Sequence, residues 1–117
     1  MPQAPTILFV EDDQPVRNVI TEALAARGFR VLATDSAYEA MQLLAQEHID
    51  VLFADIVMPG LNGIELAKQA KALHPDLRII LATGYYSRAE EARSVGKLLF
   101  KPLRADEVEA EILNLMA

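Results

Sequence analysis

The chain has 117 residues, of which 52% are hydrophobic and 24% are charged, and it contains no cysteine. This composition predicts one globular domain, excludes disulfides and thiolate metal sites, and is typical of a protein from a reducing cytoplasm. The formal net charge of -6 argues against direct binding to nucleic acid or to an anionic membrane surface, and no apolar stretch approaches the roughly 20 residues that a membrane-spanning helix needs.

Short apolar runs recur along the chain, and most of them end in polar residues. Continuous runs of this kind predict parallel strands that are buried on both faces. In chain order, the predicted strands cover residues 7–10, 30–33, 51–54, 78–82 and 98–100, and residues 30–33 are expected to form a short edge strand. The polar residues that follow four of them are the triplet Glu11-Asp12-Asp13, Asp55, Thr83 and the pair Lys101-Pro102.

Segments with helical spacing of apolar residues lie between these runs. They predict helices over residues 16–24, 37–44, 66–73, 87–95 and 106–116. Gly28 is a predicted stop for the first helix, and Ser36 with Glu39 has the spacing of a capping box at the start of the second. The helix predicted over 87–95 is short and mostly polar, with only Ala89, Ala92 and Val95 at helical spacing.

A strand and a helix therefore alternate five times, which predicts a three-layer α/β sandwich with right-handed crossovers. In such a sheet, functional groups gather at the carboxyl ends of the strands. Carboxylates, a hydroxyl and an amine should therefore converge on one edge. That set of groups suits a divalent cation and a phosphoryl group.

These motifs, taken in order, resemble the receiver domain of two-component response regulators across essentially the whole chain. The residues that carry the resemblance are residues 7–13, Asp55 with Met58-Pro59-Gly60 and Asn62-Gly63, Thr83, and Lys101-Pro102. The resemblance implies a doubly wound, flavodoxin-like (βα)5 fold with a parallel five-stranded sheet of order 2-1-3-4-5. It also implies a single receiver domain over residues 1–117, with residues 1–5 as a tail.

The resemblance assigns roles to the residues at the strand ends. Asp55 would accept a phosphoryl group as the nucleophile, assisted by Lys101 and Thr83. Mg²⁺ would be held by oxygens, and the expected ligands are Glu11, Asp12, Asp55 and the backbone carbonyl of Val57.

The chain also departs from the common receiver pattern. Leu98 stands where that pattern has a switch aromatic, three residues before Lys101. Residues 81–86 are similar to the FATGUY signature of a receiver subgroup that is often single-domain, with Leu81 in place of Phe. Tyr85 or Tyr86 is therefore the predicted partner of Thr83 in switching.

The function implied is a cytoplasmic phosphorelay signalling module rather than a metabolic enzyme, one that promotes only its own aspartyl phosphorylation and dephosphorylation. Its expected partners are a sensor histidine kinase or histidine phosphotransfer protein and a downstream protein target, without nucleic acid or membrane, in a monomer or weak homodimer. A stand-alone receiver and one excised from a hybrid kinase or larger regulator both remain open. The alternatives are a flavodoxin-like cofactor-binding module, disfavoured by the acidic triplet, and a Mg²⁺-dependent aspartyl phosphatase, disfavoured by Val57 where a second acid is expected.

Overall fold

The apolar runs form a five-stranded parallel sheet in the computed structural model, which describes residues 4–60, 62–85 and 87–117. The strand order is β2-β1-β3-β4-β5, which confirms the predicted doubly wound topology. The strands are β1 (Thr6–Val10), β2 (Arg30–Thr34), β3 (Val51–Asp55), β4 (Arg78–Thr83) and β5 (Lys97–Phe100).

Each strand is followed by a helix, as the alternating pattern predicts. The helices are α1 (Gln14–Ala26), α2 (Ala37–Gln46), α3 (Gly63–Leu73), α4 (Ala89–Val95) and α5 (Ala105–Met116). Polar side chains cap the first three helices at their amino termini: Asp13, Ser36 and Asn62 each accept a hydrogen bond from a backbone N–H three residues ahead. Gly28 follows α1 with a positive φ of 94°, a conformation that glycine adopts without strain.

Two apolar layers cover the two faces of the sheet, and this gives the predicted three-layer sandwich. On one face α2, α3 and α4 pack through residues such as Leu44, Leu66 and Ala92. On the other face α1 and α5 pack through Leu24 and Ile112. The central strands β1 and β3 are buried along their whole length, so they fix the relative positions of the groups that follow them.

Helix α4 is shorter than the sequence pattern predicts, because it begins at Ala89 rather than at Ser87. Arg88 occupies the N-cap position and its side chain makes no capping hydrogen bond. Ala89 and Ala92 are the buried residues of this helix. Among the described residues, no helix has the length and the apolar character needed to span a membrane.

Candidate functional site

Three carboxylates meet at the carboxyl edge of the sheet. Glu11 directly follows β1, Asp55 is the last residue of β3, and Asp12 lies in the loop between β1 and α1. One ligand oxygen from each of these residues lies within 4.8 Å of the others. Glu11 and Asp55 are buried, whereas Asp12 is exposed, so the cluster opens toward solvent on one side.

Lys101, the residue after β5, supplies a positive charge to this cluster. Its Nζ donates a hydrogen bond to Asp55 Oδ2 at 2.7 Å and lies 3.0 Å from Glu11 Oε1. Within the described part of the chain, Glu11 Oε1 is a buried oxygen without a hydrogen bond, so its contact with Lys101 is Coulombic rather than directional. The backbone N–H of Lys101 donates to the Thr83 carbonyl at 2.8 Å, and its peptide bond to Pro102 is cis.

The electrostatics of the cluster follow from burial and from these neighbours. Burial raises the pKa of Glu11 from 4.5 to about 7; the Lys101 ammonium opposes this rise, and repulsion from Asp55 adds to it. Burial works to lower the pKa of Lys101, but its hydrogen bond to Asp55 and the negative charges of Asp55 and Glu11 outweigh this effect and leave the pKa raised. Glu11 therefore exchanges its proton near neutral pH, while Lys101 stays charged.

The donor set fits a small, hard divalent cation. Carboxylate oxygens are the protein ligands that Mg²⁺ prefers, and it usually binds through one or two of them together with water and phosphate oxygens. The buried Glu11 Oε1 without a hydrogen bond is a position where such a charge would be favourable. Glu11, Asp12 and Asp55 are the residues that would hold the ion.

The loop between β3 and α3 shapes the surroundings of Asp55. The backbone N–H of Val57 donates to Asp55 Oδ1 at 3.1 Å, and the Val57 side chain is 53% exposed. Gly63, the first residue of α3, packs directly on the Asp55 backbone: a Cβ placed there would lie 2.2 Å from the Asp55 carbonyl oxygen. The glycine that the sequence motif contains is therefore required by this close approach.

The predicted switch residues occupy different surroundings. Thr83 is buried, and its Oγ1 accepts a hydrogen bond from the Tyr85 N–H at 3.0 Å, while the Tyr85 side chain is 66% exposed. Leu98 is buried in the apolar layer under α3 and α4. Tyr86 lies outside the described residues.

Sequence reasoning missed two contacts near this site. The Arg17 guanidinium donates from Nη1 to the Glu11 carbonyl at 2.8 Å. Arg93 of α4 lies over the ring of Phe100, with its Cζ 5.8 Å from the ring centroid. The second contact had a signal in the sequence, because Phe100 follows Leu98 at the two-residue period of a strand and so shares its face.

Comparison with known proteins identifies this arrangement. A family model described as the response regulator receiver domain matches residues 7–113. The chain belongs to the response regulator receiver domain family. This receiver domain is 35% identical over 114 residues to the response regulator receiver protein CpdR of Brucella abortus (strain 2308), a match that covers 94% of this chain and 95% of that protein.

Other relatives are longer than this receiver domain. The C4-dicarboxylate transport transcriptional regulatory protein DctD of Rhizobium meliloti (strain 1021) is 35% identical over 112 residues, which cover 92% of this chain but 24% of DctD. Among solved structures, the receiver domain from the hybrid histidine kinase CckA is 29% identical, with a TM-score of 0.83 and coverage of 96% of this chain and 99% of that one. A receiver domain protein from Clostridium thermocellum is 25% identical, with a TM-score of 0.88, and the match covers 96% of this chain and 94% of that one.

Proposed function

We propose that this receiver domain accepts a phosphoryl group on Asp55 in a Mg²⁺-dependent reaction and that the product changes a protein-binding surface. The observation that carries this proposal is the contact of the buried Asp55 carboxylate with Lys101 Nζ at 2.7 Å, inside a cluster of three carboxylates. The carboxylates would otherwise repel one another and an incoming phosphoryl group, so the site needs a cation in order to react.

The donor proposed is a phosphohistidine on a sensor histidine kinase or a histidine phosphotransfer protein. A carboxylate oxygen of Asp55 would attack phosphorus, an O–P bond would form as the N–P bond breaks, and the electron pair would return to the imidazole nitrogen. Phosphoryl transfer depends mostly on positioning and on neutralising charge. A bound Mg²⁺ would supply positive charge to the phosphoryl oxygens.

The residues around Asp55 would perform the positioning. Lys101 would exchange its bond with Asp55 Oδ2 for one with a phosphoryl oxygen, because both are anionic oxygens within reach of the same ammonium group. Glu11, Asp12, Asp55 and the Val57 carbonyl are the proposed metal ligands. Open space around Gly84, where an added Cβ would meet no heavy atom of the described residues within 4 Å, supports an unobstructed approach for the donor.

Thr83 is the proposed sensor of the phosphoryl group. Its hydroxyl oxygen accepts the Tyr85 N–H, so a turn of this hydroxyl toward the phosphoryl group would alter the start of the segment that leads into α4. The proposed outcome is a change in the surface of residues 85–95, offered to a downstream protein target. Tyr85 and Tyr86 are the proposed switch aromatics, with Leu98 as a packing residue.

We propose that the functional unit is the single receiver domain over residues 1–117. This domain would promote its own phosphorylation and dephosphorylation and would act on no other substrate. The similarity to CpdR, which extends over 95% of that protein, favours a small signalling protein. The similarity to part of the sensor kinase CckA of Brucella abortus is compatible with a role in a phosphorelay. We propose that the protein is cytoplasmic and is a monomer or a weak homodimer.

Intact-protein mass spectrometry tests the proposal. Wild type and Asp55→Asn are incubated with Mg²⁺ and a small acyl phosphate, and then with a cognate kinase. The mass of one phosphoryl group should be added to wild type alone, and EDTA should prevent the addition. An equal gain in Asp55→Asn would refute the assignment of the acceptor.

A further inference from the structure

Arg17 lies in α1, outside the set of residues proposed to react, yet it contacts the backbone of that set. Its Nη1 donates a hydrogen bond to the Glu11 carbonyl at 2.8 Å. This carbonyl lies between the end of β1 and the start of α1, where the chain leaves the sheet and regular backbone pairing ends. A charged donor makes a short and strong hydrogen bond, so this contact fixes the carbonyl in place.

The position of Asp12 depends on that carbonyl. The peptide unit between Glu11 and Asp12 is planar, so an anchor on its oxygen also fixes the Asp12 nitrogen and Cα. Within the described ranges of the chain, the exposed Asp12 carboxylate makes no hydrogen bond or ion pair of its own. The backbone is therefore what directs it toward Glu11 and Asp55.

The far side of Asp12 is anchored separately. The Asp13 N–H donates to Glu11 Oε2 at 3.3 Å, and Asp13 Oδ1 accepts the Val16 N–H at 3.2 Å. The backbone N–H of Arg17 itself donates to the Asp13 carbonyl at 2.9 Å. Arg17 therefore holds the chain on both sides of Asp12. Its backbone N–H bonds to the Asp13 carbonyl, and its side chain bonds to the Glu11 carbonyl.

We propose that Arg17 is a positioning residue for the metal site: its guanidinium holds the Glu11–Asp12 peptide so that both carboxylates face Asp55 before the ion arrives. This inference rests on the proposed Mg²⁺ function and adds to it a residue that touches neither the ion nor the phosphoryl group. Groups that orient metal ligands in this way typically change metal affinity by about 10- to 100-fold when they are removed.

Arg27, the C-cap residue of α1, provides a matched control. Its Nη1 donates to the Ala23 carbonyl at 3.0 Å, the same kind of bond, and it also pairs with Glu109. It lies ten positions further along, about 15 Å at the rise of an α-helix, at the opposite end from the carboxylates. Arg17→Met and Arg27→Met both delete a guanidinium and keep an unbranched apolar stem.

Isothermal titration of the full chain with Mg²⁺ alone tests the proposal, together with thermal melts in EDTA. Arg17→Met should bind Mg²⁺ about tenfold more weakly than wild type, Arg17→Lys should fall between them, and Arg27→Met should bind as wild type does. In EDTA, both methionine variants should melt at a slightly lower temperature than wild type, and by similar amounts. If Arg17→Met does not fold, Arg17→Lys against Arg27→Lys makes the same comparison.

Two outcomes overturn the positioning role: wild-type Mg²⁺ affinity in the folded Arg17 variants, or equal weakening in the Arg27 variants. Asp12→Ala separates this inference from the proposed function. If Asp12→Ala abolishes Mg²⁺ binding and Arg17→Met leaves it intact, the metal site stands and the role of Arg17 is refuted. If wild type itself binds no Mg²⁺, the proposed metal function fails, and the inference about Arg17 fails with it.

Discussion

Helices α3 and α4 follow neighbouring strands of the sheet, but they are attached to it in different ways. Helix α3 has 11 residues, its amino terminus is capped by Asn62 Oδ1 on the Glu65 N–H at 2.9 Å, and Gly63 packs on the backbone of Asp55. Helix α4 has 7 residues and no side-chain cap. The acceptor residue is therefore followed by a well-anchored helix, and Thr83 by a weakly anchored one.

The contacts that hold the two helices also differ in kind. Helix α3 buries Ile64, Leu66, Ala67 and Ala70, whereas α4 buries two alanines and is tied to α3 by surface charges. Glu91 accepts hydrogen bonds from Arg88 Nε at 2.8 Å and Lys68 Nζ at 3.3 Å, and these contacts lower the pKa of Glu91. Exposed ion pairs contribute little to stability, so α4 should open at a lower free-energy cost than α3.

The largest change in unfolding free energy should come from the ionisation of Glu11, which is buried beside the acceptor Asp55. Because the pKa of Glu11 is raised from 4.5 to about 7, native Glu11 holds a proton that the unfolded chain releases at lower pH. The unfolding free energy of the metal-free protein should therefore fall as the pH rises from 4.5 to 7, by at most about 3 kcal/mol, and change little above that. Urea melts in EDTA across this range measure the slope.

Glu11→Gln is the control for that slope, because glutamine cannot titrate. The pKa values of Asp106 and Glu91 are lowered, so their contributions to the unfolding free energy change at lower pH. These contributions are the same in wild type and in Glu11→Gln. The variant should lose the fall in stability between pH 4.5 and 7. The same slope in both proteins would show that Glu11 ionises normally in the fold.

Gly63→Ala should break the attachment of α3. The added methyl would lie 2.2 Å from the Asp55 carbonyl oxygen, which is backbone and cannot turn aside. We expect a loss of about 2 to 3 kcal/mol in unfolding free energy and a loss of phosphorylation. Gly84→Ala, whose added Cβ would meet no heavy atom of the described residues within 4 Å, should stay within about 0.5 kcal/mol of wild type. Chemical denaturation of both variants checks this, and equal losses would contradict it.

Removing a helix cap should have an intermediate effect and should separate stability from function. Asn62→Ala and Ser36→Ala each delete a cap of the same geometry, at 2.9 and 3.1 Å, and each should cost about 1 kcal/mol. Only Asn62 lies in the loop that follows Asp55, so Asn62→Ala alone should also slow phosphorylation by a small acyl phosphate. Equal phosphorylation rates would show that the cap does not position the acceptor.

The smallest effect should come from the surface charges that hold α4. Glu91→Gln should lower the melting temperature slightly at low salt and not at high salt, because salt screens exposed pairs. Hydrogen exchange of amides 89–95 should become faster, with the amides of α3 unchanged. Glu90→Gln in the same helix is the control. Amides of α4 that are as protected as those of β3 in wild type would contradict the comparison itself.

The sequence predicted every strand to within one residue at each end, whereas α3 begins three residues before its predicted start and α4 begins two residues after its predicted start. Continuous apolar runs specify a buried strand locally, and Ser36, the predicted cap of α2, marks the start of that helix through a single hydrogen bond. Helix α4 has no such cap, so no side-chain hydrogen bond specifies its start at Ala89. The hydrogen bond that Arg17 makes had no motif to reveal it, because a lone arginine in a helix is compatible with many partners.

By itself, the sequence determined the order of the strands and helices and the residues that gather at the carboxyl edge of the sheet. The reason is that the spacing of apolar residues, which specifies a strand or a helix, involves only a few neighbouring residues. Only the tertiary structure decided the distances. Lys101 and Asp55 are 46 positions apart in sequence, yet Nζ and Oδ2 lie 2.7 Å apart. The raised pKa of Glu11 also depends on burial by remote segments and on two distant charges, which no local pattern contains.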